Sequence, residues 1–197
     1  IWKRTGEKMK IGILGGTFNP IHIGHLVLAE EVRQKLQLDK ILFVPAYFPP
    51  HKDGKDLLDA CQRMKMVRLA IKGNPYFEAE DIEIKRKGKS YSIDTLKNLR
   101  LKFPSGNKFF FILGSDALGY LDSWKDINDV LKLAKFVIAS RPGYALKNLP
   151  KGILPVVIES LDISGFYIRQ RIKHNESVRY LLPYTVYSYI RKKGLYR

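Results

Sequence analysis

A Rossmann-like α/β fold, a doubly wound parallel sheet flanked by helices, is predicted for this chain by three features of its sequence. Short β-rich apolar runs alternate with longer helical patterns, the signature of βαβ units. Most of these runs are continuously apolar, as strands buried on both faces must be. Their charged and apolar residues recur regularly along 197 residues that are 45% hydrophobic, enough to bury one sizeable core.

In order along the chain, Lys10 to Leu14 and Lys40 to Val44 read as the first two strands. Between them Leu26, Ala29, Val32 and Leu36 recur at spacings of three and four, so Ile23 to Gln37 is expected to lay one apolar face on the sheet. Leu57 to Lys72 reads as the next helix, and Phe77 to Ile84 as a strand with the alternation of a sheet edge. Ser92 to Phe103 (helix), Lys108 to Leu113 (strand), Ile127 to Leu133 (helix), Lys135 to Ser140 (strand) and Leu154 to Ile158 (strand) follow. Gly165 to Lys173 and Pro183 to Lys193 close the chain as helices. The last carries its own punctuation: Pro183 suits a first turn, Lys192 and Lys193 complement the C-terminal dipole, and Gly194 suits a left-handed stop. A single domain is expected over residues 9–197, with Ile1 to Lys8 an N-terminal extension and a C-terminal helical portion over 164–197.

Charge and cysteine usage bound the function. Lys and Arg number 35 against 19 Asp and Glu, a formal charge of +16, so an anionic partner is favoured electrostatically without being identified. Cys61 is the only cysteine, which excludes an intrachain disulfide framework and permits a reducing compartment. The longest apolar runs, such as Phe109 to Leu113, fall short of the roughly 18 to 20 residues of a membrane span, and the run Ile11 to Leu14 is too short for a signal peptide. A cytoplasmic protein is expected.

The segment Gly15 to His25, GGTFNPIHIGH, leaves the first strand and enters the first helix. Gly15 and Gly16 let a phosphate approach the main chain, and the helix start offers unpaired N–H donors and a favourable dipole. His22 and His25, three residues apart, can meet a charge-accumulating phosphorus centre together. Zinc is the other chemistry open to two histidines, but no cysteine or carboxylate cluster at ligand spacing completes a tetrahedral set. The loops Ala46 to Lys55 and Arg141 to Gly152 each follow a strand and can reach the sheet edge where α/β folds bind ligands.

GGTFNPIHIGH resembles the signature of the nucleotidyltransferases that share a histidine-x-glycine-histidine motif, and within them the chain resembles the nicotinate-nucleotide adenylyltransferases. The resemblance continues through PPHK (Pro49 to Lys52), SYSIDTL (Ser90 to Leu96), GSDAL (Gly114 to Leu118), Trp124, RPGY (Arg141 to Tyr144) and the ending LLPYTVYSYIRKKGLY. It implies a nucleotidyltransferase-type Rossmann-like fold, ATP and a pyridine mononucleotide as substrates, and magnesium with no protein ligand assigned. Gly15, Gly16, Thr17, Phe18, His22 and His25 would then meet ATP, its phosphates above all. Gly114 and Asp116 would hold its sugar, and Arg141, Ser164, Ile168 and Arg169 would complete its site. Lys52 would meet the reacting phosphates, with His22, His25 and Arg169 as the other catalytic groups. On the acceptor side the resemblance implies Gly16, Lys52, Ser92, Thr95, Trp124 and Lys125, with Trp124 stacking on the pyridine ring and the backbone around Ser92 and Lys125 reading the nicotinate carboxylate.

Two places depart from the family pattern. Asn19 stands where the signature usually has aspartate, a loss of charge from which little consequence is expected. The late motif reads ISGFYIR from Ile163 to Arg169, so Phe166 replaces a threonine hydroxyl at a helix start; the aromatic ring is expected to pack inward. Two rivals stand beside the main reading. One is a transferase of the same fold acting on nicotinamide mononucleotide or another phosphorylated acceptor. The other is a nucleic-acid-binding module, suggested by the net charge and by Tyr184, Tyr187 and Tyr189 near Arg191, Lys192 and Lys193. Val186 and Ile190 share one face of that helix, which favours a docked helix with a solvated basic end, so nucleic acid is not expected as a partner. Lys85 to Lys89 is expected to be an exposed turn.

Overall fold

The computed structural model describes residues 8–50, 56–114, 119, 121, 123–140, 149, 152–159 and 161–197. Six strands form one sheet: β1 (Lys10–Gly16), β2 (Lys40–Pro45), β3 (Phe77–Ala79), β4 (Lys108–Gly114), β5 (Lys135–Ser140) and β6 (Ile153–Val157). Their order is β3-β2-β1-β4-β5-β6, and every pairing is parallel. Seven helices accompany them among the described residues: α1 (Ile23–Lys35), α2 (Ala60–Ile71), α3 (Ile82–Arg86), α4 (Ser92–Lys102), α5 (Ile127–Leu133), α6 (Gly165–Lys173) and α7 (Tyr184–Lys193).

Period-two alternation within the strands separates two apolar layers. Leu14, Ile41, Phe43, Ile112 and Val137 join Ala29 and Val32 of α1, Met66 and Val67 of α2, Ile168 of α6 and Val186 and Ile190 of α7. Ile11, Ile13, Leu42, Phe111, Phe136 and Ile138 join Ile93, Leu96 and Leu99 of α4 and Val130 of α5 on the other layer. The helices therefore cover both faces, as continuously apolar strands require.

Strand order reverses between β1 and β4: the chain winds outward to β3, then returns to the far side of β1. The carboxyl ends of β1 and β4, at Gly16 and Gly114, thus flank the crevice where a doubly wound sheet opens to ligands.

The largest departure from expectation is at the sheet edge. Phe77 to Ile84 is predicted as one strand, but pairing with β2 runs only from Phe77 to Ala79, and the chain then turns into α3. The short helix turns Glu83 inward, where the Thr95 hydroxyl donates to it. A continuing strand would have sent Ile82 and Ile84 to one face and left that carboxylate on the opposite one. Lys85 and Arg86 end this helix, so the exposed turn expected over Lys85 to Lys89 begins at Lys87. The expected helix Leu57 to Lys72 starts at Ala60, where Asp59 caps it by accepting from the amides of Cys61 and Gln62. At the other end of the chain Val186 and Ile190 of α7 are buried and Gly194 stops the helix in the left-handed region, as a docked helix requires.

Candidate active site

Between Gly16 and the start of α1 the chain makes a compact turn whose centre, Phe18, is left-handed (φ 48°) with its ring buried. A left-handed non-glycine residue costs free energy, so other contacts must hold it. Two guanidinium groups do so. Arg63 of α2, fully buried, donates to Thr17 O at 2.7 Å, Tyr47 O at 2.9 Å and Leu58 O at 2.9 Å. Arg169 of α6 donates to Asn19 O at 2.9 Å. The carbonyls on either side of Phe18 are thus engaged by cations.

The Asn19 side chain is a junction. Its amide nitrogen donates to Asp56 O at 2.7 Å, and its carbonyl oxygen accepts from the Leu58 amide at 3.3 Å and from the Tyr196 hydroxyl at 2.8 Å. The asparagine thus supplies an N–H to Asp56 O that an aspartate would lack.

His22 caps α1, and its ring lies 3.7 Å, centroid to centroid, from that of His25. The His22 amide donates to His25 Nδ1 at 3.2 Å, which places the proton of a neutral His25 on Nε2, the atom left to donate outward. Phe18 meets His25 edge-on at 5.0 Å. Burial pushes His22 down to about 4, and burial together with the adjacent His22 ring pushes His25 well below its ordinary value. Both imidazoles are neutral donors at neutral pH. His22 Nδ1 is buried and has no protein partner among the described residues, a polar atom that a ligand can satisfy. Gly24 is explained by the same geometry: a Cβ there would sit 3.2 Å from His22 Nδ1.

The start of α6 closes on this turn. A Cβ on Gly165 would come within 3.0 Å of Asn19 O, so the absent side chain brings the helix against the turn. Ser164 caps α6 by accepting from the Tyr167 amide at 3.1 Å. Phe166 does not pack inward as expected; it is 61% exposed, with the Arg169 guanidinium 5.8 Å from its ring. At the second position of the helix its direction is set by α6, whose buried residue is Ile168. The Ile168 side chain lies in the core and its amide donates to Ser164 O, so an ATP contact through either group, as the resemblance implies, is not what this geometry offers.

On the other side of the crevice Gly114 ends β4, and Trp124 follows, half-buried and edge-on to Phe111 (5.7 Å) and Phe136 (5.9 Å). Lys125 places its ammonium 4.9 Å from the Tyr91 ring centre, just before Ser92 opens α4. Thr95 is buried, and its hydroxyl is committed to Glu83, whose carboxyl is raised above the usual range by its burial. Of the residues singled out in the sequence, the structure joins Gly15, Gly16, Thr17, Phe18, His22, His25, Ser164 and Arg169 around one turn, and Ser92, Trp124 and Lys125 around Tyr91 and Phe111. Lys52, Asp116 and Arg141 lie outside the described residues, as do residues 51–55 and most of 141–151 from the two expected ligand loops.

Arg63 and Tyr196 were not marked by sequence reasoning. Arg63 had a readable signal: it falls with Ala60, Met64, Val67 and Ile71 on the apolar stripe of its helix, an unusual place for a charge. Tyr196 had none beyond its place in the ending, 177 residues from the side chain it binds.

Comparison with known proteins agrees with this geometry. Residues 13–171 match the family described as Cytidylyltransferase-like. A protein of Enterococcus faecalis named probable nicotinate-nucleotide adenylyltransferase is 43% identical over 194 residues, covering 98% of this chain and 88% of its own. Another so named, from Geobacillus thermodenitrificans, is 41% identical, covering 95% and 86%. The solved nicotinic acid mononucleotide adenylyltransferase of Plasmodium falciparum, complexed with NaAD, shares the fold at a TM-score of 0.76, with 23% identity over 96% of this chain and 98% of that one. Matched along nearly its whole length, the chain belongs to the Cytidylyltransferase-like family, and within it to the nicotinate-nucleotide adenylyltransferases.

Proposed function

We propose that the paired imidazoles at the start of α1 carry adenylyl transfer from ATP to nicotinate mononucleotide, giving nicotinate adenine dinucleotide and pyrophosphate, a step of NAD biosynthesis. The names of the relatives supply the substrates. The observation that carries the chemistry is the close, neutral His22 and His25 pair, its rings tilted at 31° and one buried ring nitrogen without a partner among the described residues, at the carboxyl end of β1.

The acceptor phosphate attacks ATP's α-phosphorus in line; the bond to the bridging oxygen of pyrophosphate breaks, and no covalent enzyme intermediate forms. Charge grows on the phosphate oxygens, and preorganised donors act there without reorganising during the reaction. His25 Nε2–H and the His22 ring donate to those oxygens, and Arg169, already fastened to Asn19 O, adds fixed positive charge. The carbonyls of Thr17 and Asn19 are held by Arg63 and Arg169, and at the α1 start the amides of His22, Ile23 and His25 already donate to His25 Nδ1, Leu181 O and His22 O, so the amides of the turn itself are proposed to face the anion. Lys52 is proposed to join them, and Gly114, Asp116 and Arg141 to hold the nucleoside side of ATP. Among the described residues no group of three or more His, Cys, Asp or Glu can hold a metal ion. No protein ligand is therefore assigned to magnesium, which, bound with the ATP, would supply charge neutralisation for the leaving pyrophosphate. Trp124 receives the pyridine ring, and the backbone at Ser92 and Lys125 receives the carboxylate. Among the described residues no helix is long and apolar enough to cross a membrane. A cytoplasmic location is proposed because the single cysteine, Cys61, permits a reducing compartment.

The test is incubation with ATP, magnesium and either nicotinate or nicotinamide mononucleotide, measuring dinucleotide and pyrophosphate. His22→Ala should lower kcat by about a thousand-fold, the scale of a lost oxyanion donor. Preference for the amide would replace the acceptor, and undiminished turnover by His22→Ala would remove the imidazole pair from the mechanism.

A further inference from the structure

The Tyr196 hydroxyl lies beyond α7 and yet donates to Asn19 Oδ1 at 2.8 Å, inside the turn between β1 and α1. Asn19 in turn touches three other places: Asp56 O and the Leu58 amide through its side chain, and Arg169 through its backbone oxygen. Two guanidiniums, Arg169 and Arg63, lie close enough to the phenol to act on it electrostatically, and burial outweighs them, so the hydroxyl stays protonated and remains a donor. Removing that donor leaves a partly buried amide oxygen with a weaker set of partners and frees the side chain to turn.

We propose that Tyr196 is a positioning residue for adenylyl transfer, acting through the Asn19 amide to hold the phosphate-binding turn and Arg169 in register. It touches no reacting atom. Its influence is directional: the turn meets ATP, whereas the pyridine ring is received at Trp124, on a separate set of contacts. Loss of the hydroxyl should therefore be felt by ATP and by kcat, and not by the acceptor.

This inference rests on the reaction proposed above, so the experiment carries one reading that needs no turnover. Tyr196→Phe, which keeps the ring and removes only the oxygen, is compared with the unaltered protein for kcat, for KM of each substrate, and for affinity for magnesium-ATP measured by calorimetry without acceptor. A fall of about five-fold or more in kcat and in ATP affinity, with KM for nicotinate mononucleotide unchanged, is expected. In an Asn19→Ala background the same substitution should have little further effect, because the route through Asn19 is already broken. Unchanged ATP affinity in Tyr196→Phe overturns the proposal, as does a full loss that persists without Asn19 or a uniform decline that tracks the folded fraction. Absence of dinucleotide from the unaltered protein would count against the reaction, while calorimetry would still decide the positioning role.

Discussion

The turn after β1 is fixed by directional bonds from one buried and one half-buried cation and from amides, whereas the surface after β4 that carries Trp124 is fixed by aromatic packing and one ammonium over a ring. The difference follows from what each side must do. Donors that meet a developing phosphate charge lose their effect when displaced by a fraction of an ångström to an ångström, so their backbone is tied from several directions. A flat ring tolerates small slides on another ring, and edge-on aromatic contacts supply area and orientation without fixing single atoms. The left-handed Phe18 belongs to the first side, where strain is held by bonds on both flanks.

Breaking the phosphate side at Arg63 should have the largest effect on stability of any single substitution considered. Arg63→Met keeps the stem of the side chain and leaves Thr17 O, Tyr47 O and Leu58 O without their donor. Each charged hydrogen bond contributes about 1.5 to 3 kcal/mol, and relief of guanidinium desolvation offsets part of the sum, so a net loss of roughly 3 kcal/mol is expected. For a chain of this size that is a fall in Tm of roughly 6 to 12 °C. Thermal unfolding checks it, and a Tm within about 2 °C of the parent would show that the turn is held by other means.

Acid should act on the same side. His22 has its ionisation lowered by burial to about 4, against 6.5 for an unburied imidazole. Above pH 6.5 the ring is neutral whether the chain is folded or not, and its contribution is complete. As pH falls, the unfolded chain takes up a proton that the folded one refuses until about pH 4, so stability is lost across that interval. The shift corresponds to roughly 3 kcal/mol, and His25, also lowered, adds in the same direction. Urea unfolding at pH 7 and pH 4.5 should show the loss, and His22→Gln should show a distinctly smaller one. A parallel fall in both proteins would place the acid sensitivity elsewhere.

Sequence reasoning recovers each side to a different extent, for reasons visible in particular residues. Continuous apolar runs and their glycine ends locate the strands to within one or two residues because burial on both faces leaves few alternatives. The segment Ile82–Arg86 escapes it, because Ile82 and Ile84 alternate as in a strand while burial of Glu83 against Thr95 is decided by tertiary contact. GGTFNPIHIGH is readable because its residues are contiguous, and the structure adds why Gly24 must be small beside His22. The clasp of Asn19 by Tyr196 joins distant parts of the chain and leaves no local period to read. Gly165 is equally hard to read, because what its missing side chain makes room for is the backbone oxygen of residue 19, far away in the sequence.

The smallest effect expected is the one that separates the two sides most cleanly. Trp124 packs edge-on against Phe111 and Phe136, so its indole contributes to the core below α5 whatever else it does. Trp124→Leu removes the flat surface while keeping apolar volume near the strands, and some loss of stability is expected on packing grounds alone. If the ring also receives the pyridine, KM for nicotinate mononucleotide should rise about ten-fold, a loss of roughly 1.4 kcal/mol that matches one aromatic stack, while KM for ATP stays constant. Raised acceptor KM with unchanged ATP KM would be the mirror image of the pattern expected for Tyr196→Phe, and the two variants together would show that the crevice has two independently held halves. A lower Tm with both KM values unchanged would reduce Trp124 to a core residue and move the pyridine ring to another surface.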